Sequence, residues 1–189
     1  MRLLNAAGFA GVLLLAQFGR ASAPAKAAKV FLLEDASSNQ WCAYAKEADW
    51  NAAVQDTGAM TVAALTYSND HLLQIDVTET DETGDWTVYD HFFLDDHGQI
   101  VRLSRLINVL PGDRSVLQGF SIGNGKANRT ATTEAQLSTG KQLVAPKSVW
   151  LPDLPIATGT KMFPFSVLLA RPRPWTGGKS CVQVPAPQK

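Results

Sequence analysis

Residues 71–94 read HLLQIDVTETDETGDWTVYDHFFL, and this stretch decides the fold class. In its first run, the apolar residues Leu73, Ile75 and Val77 alternate with polar side chains. Such alternation is the period of a strand that buries one face. A second strand-like run begins at Trp86, after a polar connection that is too short for a parallel crossover. The stretch therefore predicts two antiparallel neighbouring strands.

The same pattern extends to both sides of this stretch. Turn residues separate the successive runs, among them Asp95-Asp96-His97-Gly98 and Pro111-Gly112-Asp113. Strands are predicted at 60–67, 71–79, 86–94, 99–109 and 115–122. Because both faces of the hairpin 86–109 are largely apolar, we expect other parts of the protein to shield both faces from water. We predict a mostly β fold, with α+β as the alternative: a single-domain antiparallel meander that curls toward a barrel or half-barrel.

The segments that flank the meander are assigned from their composition and turn residues. They predict a strand at 30–33, one short helix near the N-terminus at 45–55, a mobile loop at 124–140, and late strands at 143–151 and 162–170. Pro146 and Pro164 would place the two late strands at sheet edges, because proline cannot donate to a strand ladder.

Residues 1–23 have the features of a cleaved secretory signal peptide. Arg2 gives a positive start, an apolar run follows over 6–18, and Ala21-Ser22-Ala23 offers small residues to a signal peptidase. The apolar run is shorter than the ~20 residues that span a bilayer. The sequence therefore predicts an exported protein, periplasmic or extracellular, whose mature form has no membrane span.

The rest of the chain, 24–189, has the length of a single exported domain. We expect its core at 29–170 and a tail rich in Pro and Gly at 171–189. Cys42 and Cys181 are the only cysteines, and disulfides persist in oxidising compartments. They are predicted to pair with each other and so to tie the tail to the start of the domain.

The charge balance and the hydrophobic content each exclude one class of protein. The chain has 17 Lys and Arg against 17 Asp and Glu, a formal net charge of zero. A nucleic-acid binder would carry a basic domain or stripe, so no nucleic-acid partner is expected. An acidic disordered protein is excluded by the 46% of hydrophobic residues, which can form a core.

The hairpin 86–109 also carries a candidate buried polar cluster. A three-residue turn at its tip sets a register in which Asp90 faces Ser104, with Arg102 diagonally across. An unpaired carboxylate among aromatic side chains is costly, so Asp90, Arg102 and Ser104 are predicted to satisfy one another. The alternative is a pocket carboxylate with an altered pKa. His91 points to the opposite face and cannot form an acid–base dyad with Asp90.

The remaining polar residues suggest no catalytic or metal site by their spacing. Asp95 is expected to accept hydrogen bonds from its own turn, and the three histidines match no zinc motif. The acidic residues at 81–85 could hold calcium, but a solvated turn is the simpler interpretation. Nucleophile elbows and phosphate loops are also missing, so no catalytic residue and no cofactor is assigned.

These observations favour a non-enzymatic exported β-domain that binds a partner or belongs to the cell envelope. A curled sheet could hold a small apolar ligand, although the same aromatic side chains could simply form a packed core. The candidate lining residues are Trp86, Tyr89, Phe92, Phe93 and Phe120. Two alternatives remain open, a secreted hydrolase that uses Asp90 with a second titratable group, and a module stabilised by calcium at 81–85.

Overall fold

A computed structural model describes residues 27–144, 151–170 and 179–183. The predicted signal peptide at 1–23 and most of the predicted tail at 171–189 lie outside these residues. The helices are α1 (Glu47–Thr57) and α2 (Ser166–Leu169), with a 3-10 turn at Thr160–Met162. The strands are β1 (Ala27–Asp35), β2 (Gln40–Tyr44), β3 (Thr61–Ser68), β4 (His71–Thr80), β5 (Trp86–Leu94), β6 (Ile100–Val109), β7 (Arg114–Gly123), β8 (Lys126–Gln136) and β9 (Ser180–Gln183).

The nine strands of the described residues form one antiparallel sheet in the order β8-β7-β6-β5-β4-β3-β1-β2-β9. From β3 to β8 each strand pairs with the next in the chain, because each connecting turn is short. Among the described strands the sheet stays open, with β8 and β9 at its two edges. The prediction of a mostly β antiparallel meander with a short helix near its start is confirmed.

The inner face of the sheet, which carries Leu65, Phe92 and Leu103, holds the main hydrophobic core. It is covered by residues 151–170, here called the covering segment, which buries Phe163 and Phe165 against the strands. Each of these five side chains exposes at most 6% of its surface. The meander thus buries one full face without closing into a barrel.

Within the described part of the chain, the outer face is covered only at one end. Helix α1 packs there against Phe31, Leu33 and Tyr44, and Trp50 donates its indole N–H to the carbonyl of Leu32 at 2.9 Å. Val101 and other outer side chains further along the sheet are exposed. The helix lies two residues later than the predicted 45–55 because Lys46, in an extended conformation, precedes its first turn.

The expected mobile loop at 124–140 is wrong for most of its length, because residues 126–136 form β8. A tight turn with positive φ at Asn124 (51°) and Gly125 (70°) returns the chain, as two-residue hairpins require. Strand β8 then pairs with β7 from Gly123↔Lys126 to Arg114↔Gln136. Its polar composition suits an edge strand exposed to water, since polar side chains there discourage pairing with another chain.

The prediction of a late strand at 162–170 is also wrong. This segment is largely helical and lies across the inner face of the sheet instead. Phe163 and Phe165 alternate like strand residues, but Pro164 lies between them and α2 follows directly. The segment binds the sheet through side chains rather than through ladder hydrogen bonds. Of the other expected late strand, 143–151, Leu143 and Val144 are not in a strand, and 145–150 lie outside the described residues.

Candidate functional site

A half-open pocket of about 170 Å³ lies between the inner face and the covering segment. Strands β2 to β6 form its floor, and the covering segment forms its roof. Its lining residues are Trp41, Thr61, Val77, Glu79, Asp90, Phe92, Arg105, Leu154, Pro155, Ala157, Met162, Phe163, Pro164 and Phe165. Since an apolar cavity of about 150 Å³ can hold benzene, this pocket has room for a small ligand.

Four aromatic rings form one continuous wall of this pocket. The ring centroids of Trp41 and Phe165 are 4.7 Å apart, and Phe165 stacks on Phe163 at 5.0 Å. Phe163 in turn meets Phe92 edge-on at 5.0 Å. Two of these rings come from the sheet and two from the covering segment. The complete wall therefore forms only when the covering segment is docked on the sheet.

A buried ion pair lies in the same pocket. The Nε and Nη2 of Arg105 donate to the two carboxylate oxygens of Asp90 at 2.8 and 2.7 Å. The same guanidinium donates to the backbone carbonyls of Leu154 at 2.9 Å and Pro155 at 3.2 Å. Arg105 therefore holds the covering segment on the sheet while it neutralises Asp90.

The structure corrects the predicted partners of Asp90. Leu94 pairs with Ile100 but Phe93 pairs with Arg102, so a β-bulge at Val101 adds one residue to β6. The bulge moves every later β6 side chain to the other face. Arg102 consequently lies on the outer face, 4.1 Å from the centre of the Phe93 ring, and Arg105 takes its place opposite Asp90.

The same shift moves Ser104 away from Asp90. Ser104 lies opposite His91 on the outer face, where the Nδ1 of His91 is 2.7 Å from a carboxylate oxygen of Asp76. Asp76, His91 and Ser104 thus form a row across three strands. Within the described residues no hydrogen bond joins Ser104 to His91, so the row is not an assembled catalytic triad.

Glu79 is an acidic pocket residue that sequence reasoning missed. The pairs Val77↔Asp90 and Glu79↔Val88 place it diagonally from Asp90 on the inner face. Its side chain is half-buried, and it has no hydrogen bond or ion pair with any described residue. Burial, followed by the negative charges of Asp90 and Glu34, raises the pKa of Glu79 above its usual range, and Arg105 opposes this only in part.

Replacing Glu79 should show how much its ionised carboxylate destabilises the folded protein. Because ionised Glu79 is disfavoured in the fold, Glu79→Gln should stabilise the protein once the pH exceeds the raised pKa of Glu79. Below the unfolded-state pKa the carboxyl is protonated in both states, and the gain should vanish. The gain should stay below about 1.4 kcal/mol, the value of one pKa unit, because water screens a half-exposed group.

Urea unfolding at about pH 4 and about pH 7 measures this difference. The exposed turn residue Glu82 provides the matched control, and Glu82→Gln should change stability little at either pH. If Glu79→Gln destabilised the protein at the higher pH, the carboxylate would have a stabilising partner, contrary to this expectation.

The five predicted lining residues are divided among different parts of the molecule. Phe92 lines the pocket, and Phe120 lines a second, more polar recess of about 260 Å³ on the inner face. Trp86 packs in a smaller cluster with Val88 and Ile107. Phe93 and Tyr89 lie at outer positions of β5. Which residues contact a ligand remains a prediction.

The remaining aromatic residues of the pocket wall come from outside the central hairpin. Trp41 lies on β2, a strand that sequence reasoning missed, and Phe163 and Phe165 belong to the covering segment. The alternation of Phe163 with Phe165 is visible in the sequence. The face on which they dock is not, because it depends on long-range packing.

The turn acids serve the backbone. A carboxylate oxygen of Asp95 accepts from the N–H groups of His97 at 3.0 Å and Gln99 at 2.8 Å, as expected. Asp81 accepts from the N–H of Trp86 at 2.9 Å and from the hydroxyl of Thr83. The described part of the chain contains no group of three or more His, Cys, Asp or Glu side chains arranged for a metal ion.

The predicted disulfide is confirmed. Cys42 on β2 and Cys181 on β9 are directly opposed in the sheet and bonded across 139 residues of sequence. No helix among the described residues is long and apolar enough to cross a membrane.

Comparison with known proteins gives no family. No protein-family model matches the chain, and no significant match exists among curated proteins or solved structures. The fold and the pocket define a structural class: an open antiparallel β-sheet that carries a covered pocket with an aromatic wall.

Proposed function

We propose that this protein is a non-enzymatic, exported β-domain that binds a small, largely apolar molecule in the pocket between the inner face and the covering segment. The pocket itself carries the proposal. A packed core closes around its side chains, whereas here four aromatic rings and Met162 border about 170 Å³ of space. Pockets for drug-sized ligands measure about 300–1,000 Å³, so the ligand has to be small.

Export is supported by the disulfide, since disulfides are typical of oxidising compartments. Periplasmic or extracellular location, and any association with the envelope, belong to this proposal.

The hydrolase alternative has weaker support. Two titratable groups do face the pocket, Asp90 and Glu79. However, both oxygens of Asp90 accept hydrogen bonds from Arg105, and a carboxylate held in this way is a poor general base. His91 lies on the opposite face. Glu79 alone remains free among the described pocket groups, whereas acid–base hydrolysis needs two cooperating groups.

The calcium alternative has still less support. One of the acids at 81–85, Asp81, already accepts hydrogen bonds from its own turn. A melting temperature raised by added calcium chloride would restore this alternative.

Filling the pocket tests the proposal. Ala157→Phe should place a ring in the pocket and weaken the binding of benzyl alcohol and of 3,3-dimethylbutan-1-ol by about ten-fold or more, because the space they need is lost. Ligand-observed NMR or calorimetry measures the affinities. The matched control is Ala52→Phe on the exposed side of α1, which should leave binding unchanged.

If neither compound bound the unaltered protein, or if both bound Ala157→Phe equally well, the pocket would not be a ligand site. The far-UV spectrum of each variant confirms that it folds.

A further inference from the structure

We propose that the pocket selects small organic cations, amines or quaternary ammonium groups with an apolar body, and that Glu79 and the aromatic wall together recognise the charge. This inference rests on the proposed function and names the class of ligand.

The first support is the charge balance of the pocket. Asp90 and Arg105 cancel each other, and they hold each other through two hydrogen bonds. Glu79 has no such partner among the described residues. Glu34, opposite Trp41 in the β1–β2 register, adds a second negative charge close enough to act on Glu79. Counting the described residues alone, the inner face therefore presents more negative than positive charge at the pocket.

The second support is that Arg105 is already occupied and cannot attract an anion. A guanidinium has five N–H donors. Arg105 uses four of them, two on Asp90 and one each on the carbonyls of Leu154 and Pro155. Among the residues that the structure describes, no other cationic side chain lines the pocket. A ligand carboxylate or phosphate would thus meet Glu79 with no free cationic side chain among the described residues to balance its charge.

The third support is the wall itself. A cation over the face of an aromatic ring is attracted by the ring quadrupole, most strongly at Trp and when water is excluded. Of the four rings, Phe163 has the largest exposed fraction, 6%, and the Glu79 carboxylate lines the same pocket on the same face of the sheet. Aromatic rings beside one acid suit a cation with methyl or methylene groups, because both the charge and the apolar surface find partners.

The test compares choline with its neutral isostere 3,3-dimethylbutan-1-ol, which has the same shape without the charge. Calorimetry should show that choline binds the unaltered protein about ten-fold or more tightly than the isostere. Glu79→Gln should reduce the preference to about two-fold or less, where the preference is the ratio of the choline and isostere affinities measured for the same variant. Glu82→Gln, which removes an exposed acid outside the pocket, should retain the preference.

The outcomes separate this inference from the proposed function. Equal binding of choline and the isostere would overturn the cation inference and leave the pocket a ligand site. Absence of binding by choline and the isostere would overturn the cation inference, and the proposed function would fall as well if benzyl alcohol also failed to bind. A preference that survives Glu79→Gln would also overturn the assignment to Glu79.

A second measurement needs no variant. The charged groups that act on Glu79 are Asp90 on β5, Glu34 on β1 and Arg105 on β6. As the pH falls through the raised pKa of Glu79, the carboxylate becomes neutral, so choline affinity should fall while isostere affinity stays constant. Choline affinity that does not change with pH across this range would contradict the inference.

Discussion

Arg105→Met is expected to lower the free energy of unfolding by about 3–5 kcal/mol, because it leaves the Asp90 carboxylate buried without its partner. Asp90 exposes 8% of its surface and receives two hydrogen bonds from this guanidinium. The substitution also frees the carbonyls of Leu154 and Pro155, which anchor the covering segment. Urea unfolding measures the loss, and limited proteolysis should show earlier cleavage in the covering segment.

Arg102→Met is the matched control for this experiment. Arg102 has the same side chain on the same strand, but it lies on the outer face over Phe93. An exposed cation–π contact contributes about 0.5–1 kcal/mol, so the loss should not exceed that. The double variant Asp90→Leu/Arg105→Met should regain much of the stability, since apolar replacements remove the buried charge as well. Equal losses of unfolding free energy in Arg102→Met and Arg105→Met would contradict the strand register that the bulge creates.

Removal of the disulfide is expected to have the second large effect. The Cys42–Cys181 bond closes a loop across 139 residues and holds the four-residue strand β9 against β2. The double variant Cys42→Ala/Cys181→Ala should lose about 2–5 kcal/mol, because the unfolded chain regains the freedom that the cross-link removes. A strand as short as β9 is expected to separate from β2 once it is untied.

The comparison with chemical reduction isolates the bond from the altered side chains. Dithiothreitol should lower the urea midpoint of the unaltered protein nearly to that of the double variant, and should not affect the double variant itself. Unchanged stability after complete reduction, verified by thiol titration, would mean that β9 stays docked without the cross-link.

The central meander was predictable from the sequence because its signals are local. In β4 the alternation around Ile75 reports one buried face, and each following turn carries the Asn, Asp or Gly residues that reverse a chain. The disulfide was predictable for a different reason. With Cys42 and Cys181 as the only cysteines, just one intramolecular pairing exists.

The candidate site was predicted only in fragments. Asp90 was identified as a buried carboxylate and Phe92 as a lining residue, but Arg102 and Ser104 were assigned to the wrong face. One additional residue at Val101 causes this difference. A bulge leaves no clear trace in the alternation of apolar residues, because both faces of β6 are largely apolar.

The sequence by itself determined an antiparallel meander, its helix and its single cross-link. Alternation and turn residues act over short distances, and two cysteines leave only one intramolecular pairing. The tertiary structure alone decided that 163–165 cross the sheet rather than extend it, and that Arg105 rather than Arg102 meets Asp90. It also decided that Glu79 lines the same pocket as Trp41 without a hydrogen-bond partner among the described residues. These contacts join residues far apart in the chain, and their energies depend on which face the whole sheet buries.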